Sequence, residues 1–171
     1  MGDRCNLLVK KRHPLSSRDL KSLFEETAKV VPALLMQIDR KKGVELVELE
    51  DGIRIYMQGG KPILISDGGK LMPALSASED VLDSLPKVVV DMGAVPFVAN
   101  GADVMAPGIR KVDEGAKVGD VVLVVDEKHS KGLAVGVLLM EREEILKKAK
   151  GKAVKNVHHV GDEIWKGMRA L

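Results

Sequence analysis

Two segments in which apolar and polar residues alternate, Val44–Glu50 and Ile53–Gln58, are joined by Asp51-Gly52, and a third apolar segment, Lys61–Ser66, follows Gly59-Gly60. Side chains that change face at every residue belong to strands, and Asp-Gly and Gly-Gly pairs accept the positive φ that tight hairpins require. The first half of the chain is thereby confined to an antiparallel meander, which needs a cover for its apolar face. Ser17–Val31 supplies one: Leu20, Leu23, Phe24, Ala28 and Val31 share a helical face, while Arg18, Lys21, Glu25 and Lys29 lie mostly elsewhere. A first strand is expected over Cys5–Lys11, with Pro14 and Ser16-Ser17 turning the chain into the helix. Pro32 interrupts that helix, and Ala33–Ile38 fits either a short helical or an extended segment. Asp67-Gly68-Gly69 ends the third strand, and Leu71–Leu75 adds a short final one. The expected result is an α+β domain over 1–76, a helix on a small antiparallel sheet.

Ser76-Ala-Ser-Glu79 reads as a capping box opening a short helix to Leu85, stopped by Pro86, and 77–86 is the expected linker. Beyond it, 87–171 reads as a second, mostly β domain. A strand over Lys87–Asp91 and a helix near Ala94–Asn100 lead into Gly101-Ala-Asp-Val-Met-Ala-Pro-Gly-Ile109. Gly101 can take positive φ after a helix and Pro107-Gly108 can make a tight turn, so this stretch reads as helix stop, strand, turn. It leaves backbone open beside Arg110 and Lys111, a candidate anion or RNA contact, against the alternative that Gly and Pro merely punctuate the fold. Val121–Val125, uninterrupted and apolar, suits a central strand. Leu133–Met140 is its partner, with Gly136 marking a bulge or a close backbone approach. A short charged helix around Ile145 and Leu146 and a last β segment over Ala153–Val160 follow, and Trp165 is expected to seal the barrel end. Many short strands separated by turns suggest a small barrel.

Composition excludes several classes. No apolar run approaches the about 20 residues that span a bilayer. Met1–Asn6 has no apolar signal core and lacks the Ser or Thr that a myristoylation signal wants at position 6, so no membrane partner and a cytoplasmic location are expected. Cys5 is the only cysteine, which rules out an intrachain disulfide or a cysteine-rich zinc site. The Gly-Lys pairs at 60–61, 69–70 and 151–152 are followed by Pro62, Leu71 and Ala153, never Ser or Thr, so there is no P-loop. His158 and His159 point to opposite faces if they lie in a strand and cannot easily share one metal. No carboxylate spacing marks a catalytic pair, and nothing orients His13 toward Cys5. The reading is therefore no enzyme, no cofactor and no metal.

Two Phe, one Tyr and one Trp are too few to stack bases across a sheet. Contacts to RNA are expected from backbone groups, cations and helix ends. Net charge is +2; residues 1–76 hold 13 Lys+Arg against 10 Asp+Glu, and 77–171 hold 14 against 15. Local cation clusters are Lys10-Lys11-Arg12-His13, Arg40-Lys41-Lys42 and the spaced Lys147, Lys148, Lys150, Lys152 and Lys155. As isolated runs they read as ordinary solvated surface.

Residues 87–165 resemble a PUA domain, with Gly101–Ile109 matching its most distinctive stretch and Gly119-Asp120 and Gly132-Leu-Ala-Val-Gly136 in the expected order. The ending Val157-His-His-Val-Gly-Asp-Glu-Ile-Trp165, behind an α+β domain, is similar to the archaeal relatives of the malignant T-cell amplified sequence family and to the N-terminal part of ligatin. The resemblance implies a pseudo-barrel that holds RNA, often an acceptor stem or its single-stranded end, against the glycine-rich loop, the preceding helix and the following strand. Carried over, those positions are Gly101, Ala102, Asp103, Val104, Met105, Pro107, Gly108 and Arg110, with Lys111 beside them. Lys10, Lys11, Arg12, Arg40, Lys41 and Lys42 are candidate auxiliary phosphate contacts. Eukaryotic relatives act on the small ribosomal subunit in initiation, re-initiation and recycling, which implies tRNA or rRNA and a translation-factor protein as partners. The alternatives are a protein-interaction adaptor, docking on the exposed face of the Val44–Ser66 meander, and an accessory protein of RNA modification.

Overall fold

The structure, a computed structural model, describes residues 9–166. Two compact units form: Leu85–Asp162, and residues 9–84 together with 163–166. No helix among the described residues is long and apolar enough to cross a membrane.

In the N-terminal unit, β1 (Val9–Pro14), β2 (Glu45–Leu49), β3 (Arg54–Gln58), β4 (Lys61–Asp67) and β5 (Lys70–Pro73) form one antiparallel sheet in chain order. Gly59 (φ +59°) and Gly60 (φ +76°) are both left-handed, the conformation of the tight turn that continues the right-handed twist of two strands. The first strand extends further along the chain than expected. It runs to Pro14, which pairs with Glu45 on the sheet's edge strand, where a missing N–H breaks no ladder; the expected residues 5–8 lie outside those described. Helix α1 (Ser17–Val30) begins where Ser16 Oγ accepts the Asp19 N–H at 3.1 Å, a cap worth about 1 kcal/mol. The ambiguous segment after Pro32 is a 3-10 turn over Pro32–Met36.

Apolar residues are buried on both faces of the meander, Leu46 and Leu64 on one side and Val47, Ile55 and Ile65 on the other, while Arg54 is exposed and Glu48, Tyr56, Gln58 and Ser66 are partly so. The capping box is also displaced. Ser78, not Ser76, caps α2 (Glu79–Asp83), accepting the Val81 N–H, while Ser76 Oγ donates to the Pro62 carbonyl. Ser76 is drawn to a strand carbonyl distant in sequence, so the helix starts later and stops before Leu85. Trp165 is not in the barrel unit. It is 43% exposed and lines a groove of about 500 Å³ with Leu34, Ile38, Pro62 and Ile63.

The second unit is a six-stranded mixed sheet curled into a pseudo-barrel. Its strands are β6 (Lys87–Val90), β7 (Val104–Met105), β8 (Ile109–Val112), β9 (Val121–Asp126), β10 (Gly132–Leu138) and β11 (Lys152–His159), in the order β7-β11-β10-β9-β6-β8. Only β6 and β9 pair in parallel. All six residues of β9 are buried, as an interior strand with no polar alternation requires. Val88, Val90, Val104, Ile109, Val122, Val124, Leu138 and Val154 fill the interior with Val98 of α3 (Val95–Ala99) and Ile145 of α4 (Arg142–Leu146), each contributing about 1.5–3 kcal/mol on burial. Of the two apolar residues around which the short charged helix was expected, Ile145 is buried and Leu146 is 46% exposed; a helix of one turn and a half has room for one inward residue.

Two local devices hold this unit in register. At Gly136 the ladder between β10 and β11 slips by one residue, with Val157 as the extra residue of β11, and a Cβ at position 136 would lie 2.0 Å from the Lys155 carbonyl oxygen. At the end of β9, the buried Asp126 carboxylate accepts the N–H groups of Lys128 (2.9 Å), His129 (2.5 Å) and Lys131 (3.1 Å). The His129 N–H, chief among these, holds the Asp126 pKa below the usual carboxylate range.

Gly136→Ala is expected to cost about 3 kcal/mol or more in denaturant unfolding, whereas Gly43→Ala, with open space at its Cβ, is expected to change stability by less than about 0.5 kcal/mol. Asp126→Ala is expected to cost about 2 kcal/mol at neutral pH. Because the folded pKa is depressed, the wild-type advantage is full above about pH 4 and is lost as the pH falls through the lowered value. Unfolding curves of both proteins across that range should therefore converge.

Candidate nucleic-acid interface

Helix α3, the loop at Gly101–Asp103, β7 and the turn at Ala106–Gly108 form one continuous stretch leading into β8. Asp91 starts it: its Oδ1 accepts the Ala94 N–H at 2.8 Å, and its own N–H bonds to the Gly108 carbonyl at 2.9 Å, tying both ends of the stretch together. Gly101 ends the helix at φ +92°, as a residue without Cβ can at no steric cost. A Cβ on Gly108 would come within 3.1 Å of the Ala94 side chain, so glycine is also what lets the turn close on the helix.

Asn156 of β11 anchors the loop. Its Nδ2 donates to the carbonyls of Val98 and Ala102, both at 3.0 Å, and its backbone N–H donates to Asp103 Oδ1 at 2.9 Å. Asp103 Oδ2 in turn pairs with Lys152 at 3.1 Å. The expected site residues therefore divide by role. Ala102, Met105, Pro107, Arg110 and Lys111 are exposed, and Gly101 and Gly108 are partly so. The Asp103 carboxylate is committed to holding β11, and the Val104 side chain is buried in the core.

Both cations of β8 face outward because of a bulge. Lys111 pairs with Val89 and Ile109 with Val90, so Arg110 is an extra residue without a partner on β6. A regular strand would turn one of two consecutive side chains inward; the extra residue lets Ile109 and Val112 stay buried while Arg110 and Lys111 both reach solvent. Arg110 Nε lies 3.3 Å from Glu127 Oε2, and Glu127 Oε1 accepts the Met92 N–H at 3.3 Å. The two ends of β8 are held by Lys148 Nζ, donating to the Ile109 carbonyl at 2.6 Å, and by Arg142 Nε, donating to that of Val112 at 3.0 Å.

The auxiliary cations belong to the other unit. Lys10 lies 3.5 Å from Glu48, Arg12 pairs with Glu45, and Arg40 sits 5.7 Å over the Phe24 ring; exposed pairs of this kind are worth about 0.2–1 kcal/mol. Lys11, Lys41 and Lys42 are exposed. Lys10–Arg12 lie on β1 and Arg40–Lys42 on the loop before β2, so they form no single cluster with one another in sequence or strand. His158 is buried, its Nδ1 2.8 Å from Asp162 Oδ2, and His159 is partly exposed with its Nδ1 2.9 Å from the Val160 carbonyl. Among the described residues no group of three or more His, Cys, Asp or Glu is placed to hold a metal ion.

The local sequence does not mark Asn156, Asp91, Glu127 or Phe97 as parts of this stretch. Asn156 and Glu127 act through partners far away in sequence, as does the N–H of Asp91 toward Gly108, and no spacing reveals these. Phe97 sat in an apolar run too short to show which way it faced.

Residues 86–160 match the PUA domain, the class that this mixed pseudo-barrel and its glycine loop define. The chain is 41% identical to an uncharacterised protein of Methanocaldococcus jannaschii over 92% of its own length and 96% of the relative's. It is 32% identical to translation machinery-associated protein 20 of Saccharomyces cerevisiae, over 86% of each. A crystal structure of a hypothetical protein from Pyrococcus horikoshii superposes with a TM-score of 0.72 at 37% identity, covering 91% of this chain and 98% of that one. The chain belongs to the family of translation machinery-associated protein 20 and the malignant T-cell-amplified sequence proteins.

Asn156→Ala is expected to leave the fold intact but release the Gly101–Asp103 loop. It should cost about 1–3 kcal/mol and speed amide exchange at Ala102 more than in β9, measured by hydrogen exchange with mass spectrometry.

Proposed function

We propose that this protein is a noncatalytic RNA-binding factor of the translation machinery that holds RNA on the face made by the Gly101 loop, the Pro107-Gly108 turn and β8. The observation that carries this is the bulge at Arg110, which turns two consecutive cations outward beside backbone that bears no large side chain. Ribose and phosphate can approach such backbone closely, while Arg110 and Lys111 neutralise the charge. The family relationship supports the same reading, since its yeast member is named for association with the translation machinery.

On this reading the RNA is a tRNA or the RNA of the small ribosomal subunit, bound during initiation, re-initiation or recycling in the cytoplasm, with a translation-factor protein as further partner. Lys11, Lys41 and Lys42 add phosphate contacts from the N-terminal unit, and Lys10, Arg12 and Arg40 contribute once they exchange their present partners for phosphate. With a net charge of only +2, binding rests on local arrangement rather than on a general positive field.

Fluorescence titration of tRNA and of small ribosomal subunits at several salt concentrations tests this. Lys111→Glu together with Arg110→Glu should weaken binding roughly tenfold or more and reduce the salt slope by about two. Glu127→Gln should strengthen it, because the Arg110 guanidinium then loses its competing carboxylate while the Met92 N–H keeps an acceptor. Unchanged affinity in both variants removes this face from the reading.

A further inference from the structure

Asparagine stands at positions 6, 100 and 156, and only Asn100 is followed by glycine. That pair carries chemistry of its own. The backbone nitrogen of the following residue can attack an asparagine side-chain carbonyl, and glycine, with no Cβ, leaves the approach open. Asn100 is the exposed residue that closes α3, and its side-chain amide makes no hydrogen bond among the described residues. The fold nevertheless holds the reaction off. Asn100 has ψ of 8°, whereas closing a five-membered ring needs the next nitrogen turned to the same side as the Asn100 Cβ. The attacking nitrogen is also engaged, since the Gly101 N–H donates to the Val98 carbonyl at 3.0 Å. The Ala102 N–H donates to the Phe97 carbonyl at 3.0 Å, and Asn156 holds the Val98 and Ala102 carbonyls from β11. The peptide between Asn100 and Gly101 is thus tethered on both sides.

We infer that Asn100-Gly101 is a self-modification site held in check by the tethered loop, and that its conversion disables the face beside it. When the loop opens, the Gly101 nitrogen gives its proton to solvent and bonds to Asn100 Cγ. The Cγ–Nδ2 bond breaks, the leaving nitrogen takes a proton from solvent and departs as ammonia, and a succinimide ring joins side chain and backbone. Water then opens the ring at either carbonyl, giving aspartate or isoaspartate. One water enters and one ammonia leaves, with no oxidant or reductant. Both products place a carboxylate where a neutral amide stood, and a negative charge there repels phosphate. Isoaspartate also routes the main chain through the side chain. The added methylene lies inside the two hydrogen-bonded turns that span residue 100, Gly101 to Val98 and Ala102 to Phe97, and lengthens both. The effect on binding rests on the RNA-binding reading above, whereas the modification rests on the loop alone. Local opening free energy sets the rate, so the Asn156 tether sets how long an unmodified face lasts, and RNA bound to the closed loop extends that time.

The test incubates the full-length protein at mildly alkaline pH, where the attacking nitrogen loses its proton more readily, and maps its peptides by mass spectrometry. Conversion appears as the mass gain of exchanging NH2 for OH in the peptide that holds Asn100, and isoaspartate as a separate chromatographic peak. In denaturant Asn100 should convert ahead of Asn6 and Asn156, and in the folded protein it should convert far more slowly. Asn156→Ala should raise the folded rate by about 5- to 150-fold, the fold-change equivalent to the worth of its hydrogen bonds, while slow hydrogen exchange in β9 shows that the variant is folded. Modified protein, separated by ion exchange, should bind tRNA roughly tenfold or more weakly than unmodified protein. If Asn100 converts no faster in Asn156→Ala, or no faster in denaturant than in the folded chain, the inference is overturned. If modified and unmodified protein bind tRNA alike while Lys111→Glu with Arg110→Glu weakens it, the disabling effect is overturned and the RNA-binding reading stands. If neither form binds tRNA or small ribosomal subunits while Asn156→Ala still speeds conversion, the RNA-binding reading falls and the modification site stands.

Discussion

The missing side chain at position 136 is what the pseudo-barrel unit is built on. With no Cβ there, the Lys155 carbonyl can press against the β10 backbone, and the ladder takes up one extra residue at Val157. The slip lets Val157 and His158, consecutive in sequence, both be buried, and it sets Asn156 opposite the pinch. From there one amide reaches the end of α3 and the start of the glycine loop, and one backbone N–H reaches Asp103. A loop that opens on glycine has more conformational freedom than most; here three hydrogen bonds from Asn156 of β11 restrict it, so the exposed backbone is presented in one arrangement.

The same device recurs at the surface with a different result. At Arg110 the extra residue re-aims side chains rather than easing a close approach, and the outcome is a pair of cations on one face. Glu127 moderates that pair. It is positioned by the turn that Asp126 holds through three backbone N–H groups, so the electrostatics of β8 depend on a carboxylate on an adjacent residue of another strand. In a unit whose charges nearly balance, a locally arranged pair of cations with a competing carboxylate favours ligands that fit the backbone beside it over any polyanion.

Much of this was legible in the residues. The meander, the helix that accompanies it, the central position of Val121–Val125, the bulge at Gly136 and the stop at Gly101 each follow from short-range rules: alternation, turn chemistry, capping and the steric freedom of glycine. Errors arose where a local rule competed with a distant partner. Ser76 satisfies the pattern of a cap, but the Pro62 carbonyl claims its hydroxyl. Trp165 satisfies the pattern of a late tryptophan that packs, but it groups with the N-terminal unit rather than sealing the barrel.

What the sequence determined by itself is therefore the set of elements, their approximate order along the chain and the residues without which its turns cannot close, because these depend on φ, ψ and side-chain period within a few residues. What only the tertiary structure decided is which side chains meet. Asp103 faces β11 rather than a ligand, Val104 lies inside the barrel, Arg110 and Lys111 share one face, and Phe97 stands in solvent. Each of these follows from the register between strands far apart in sequence, where a slip of one residue reverses every side chain beyond it.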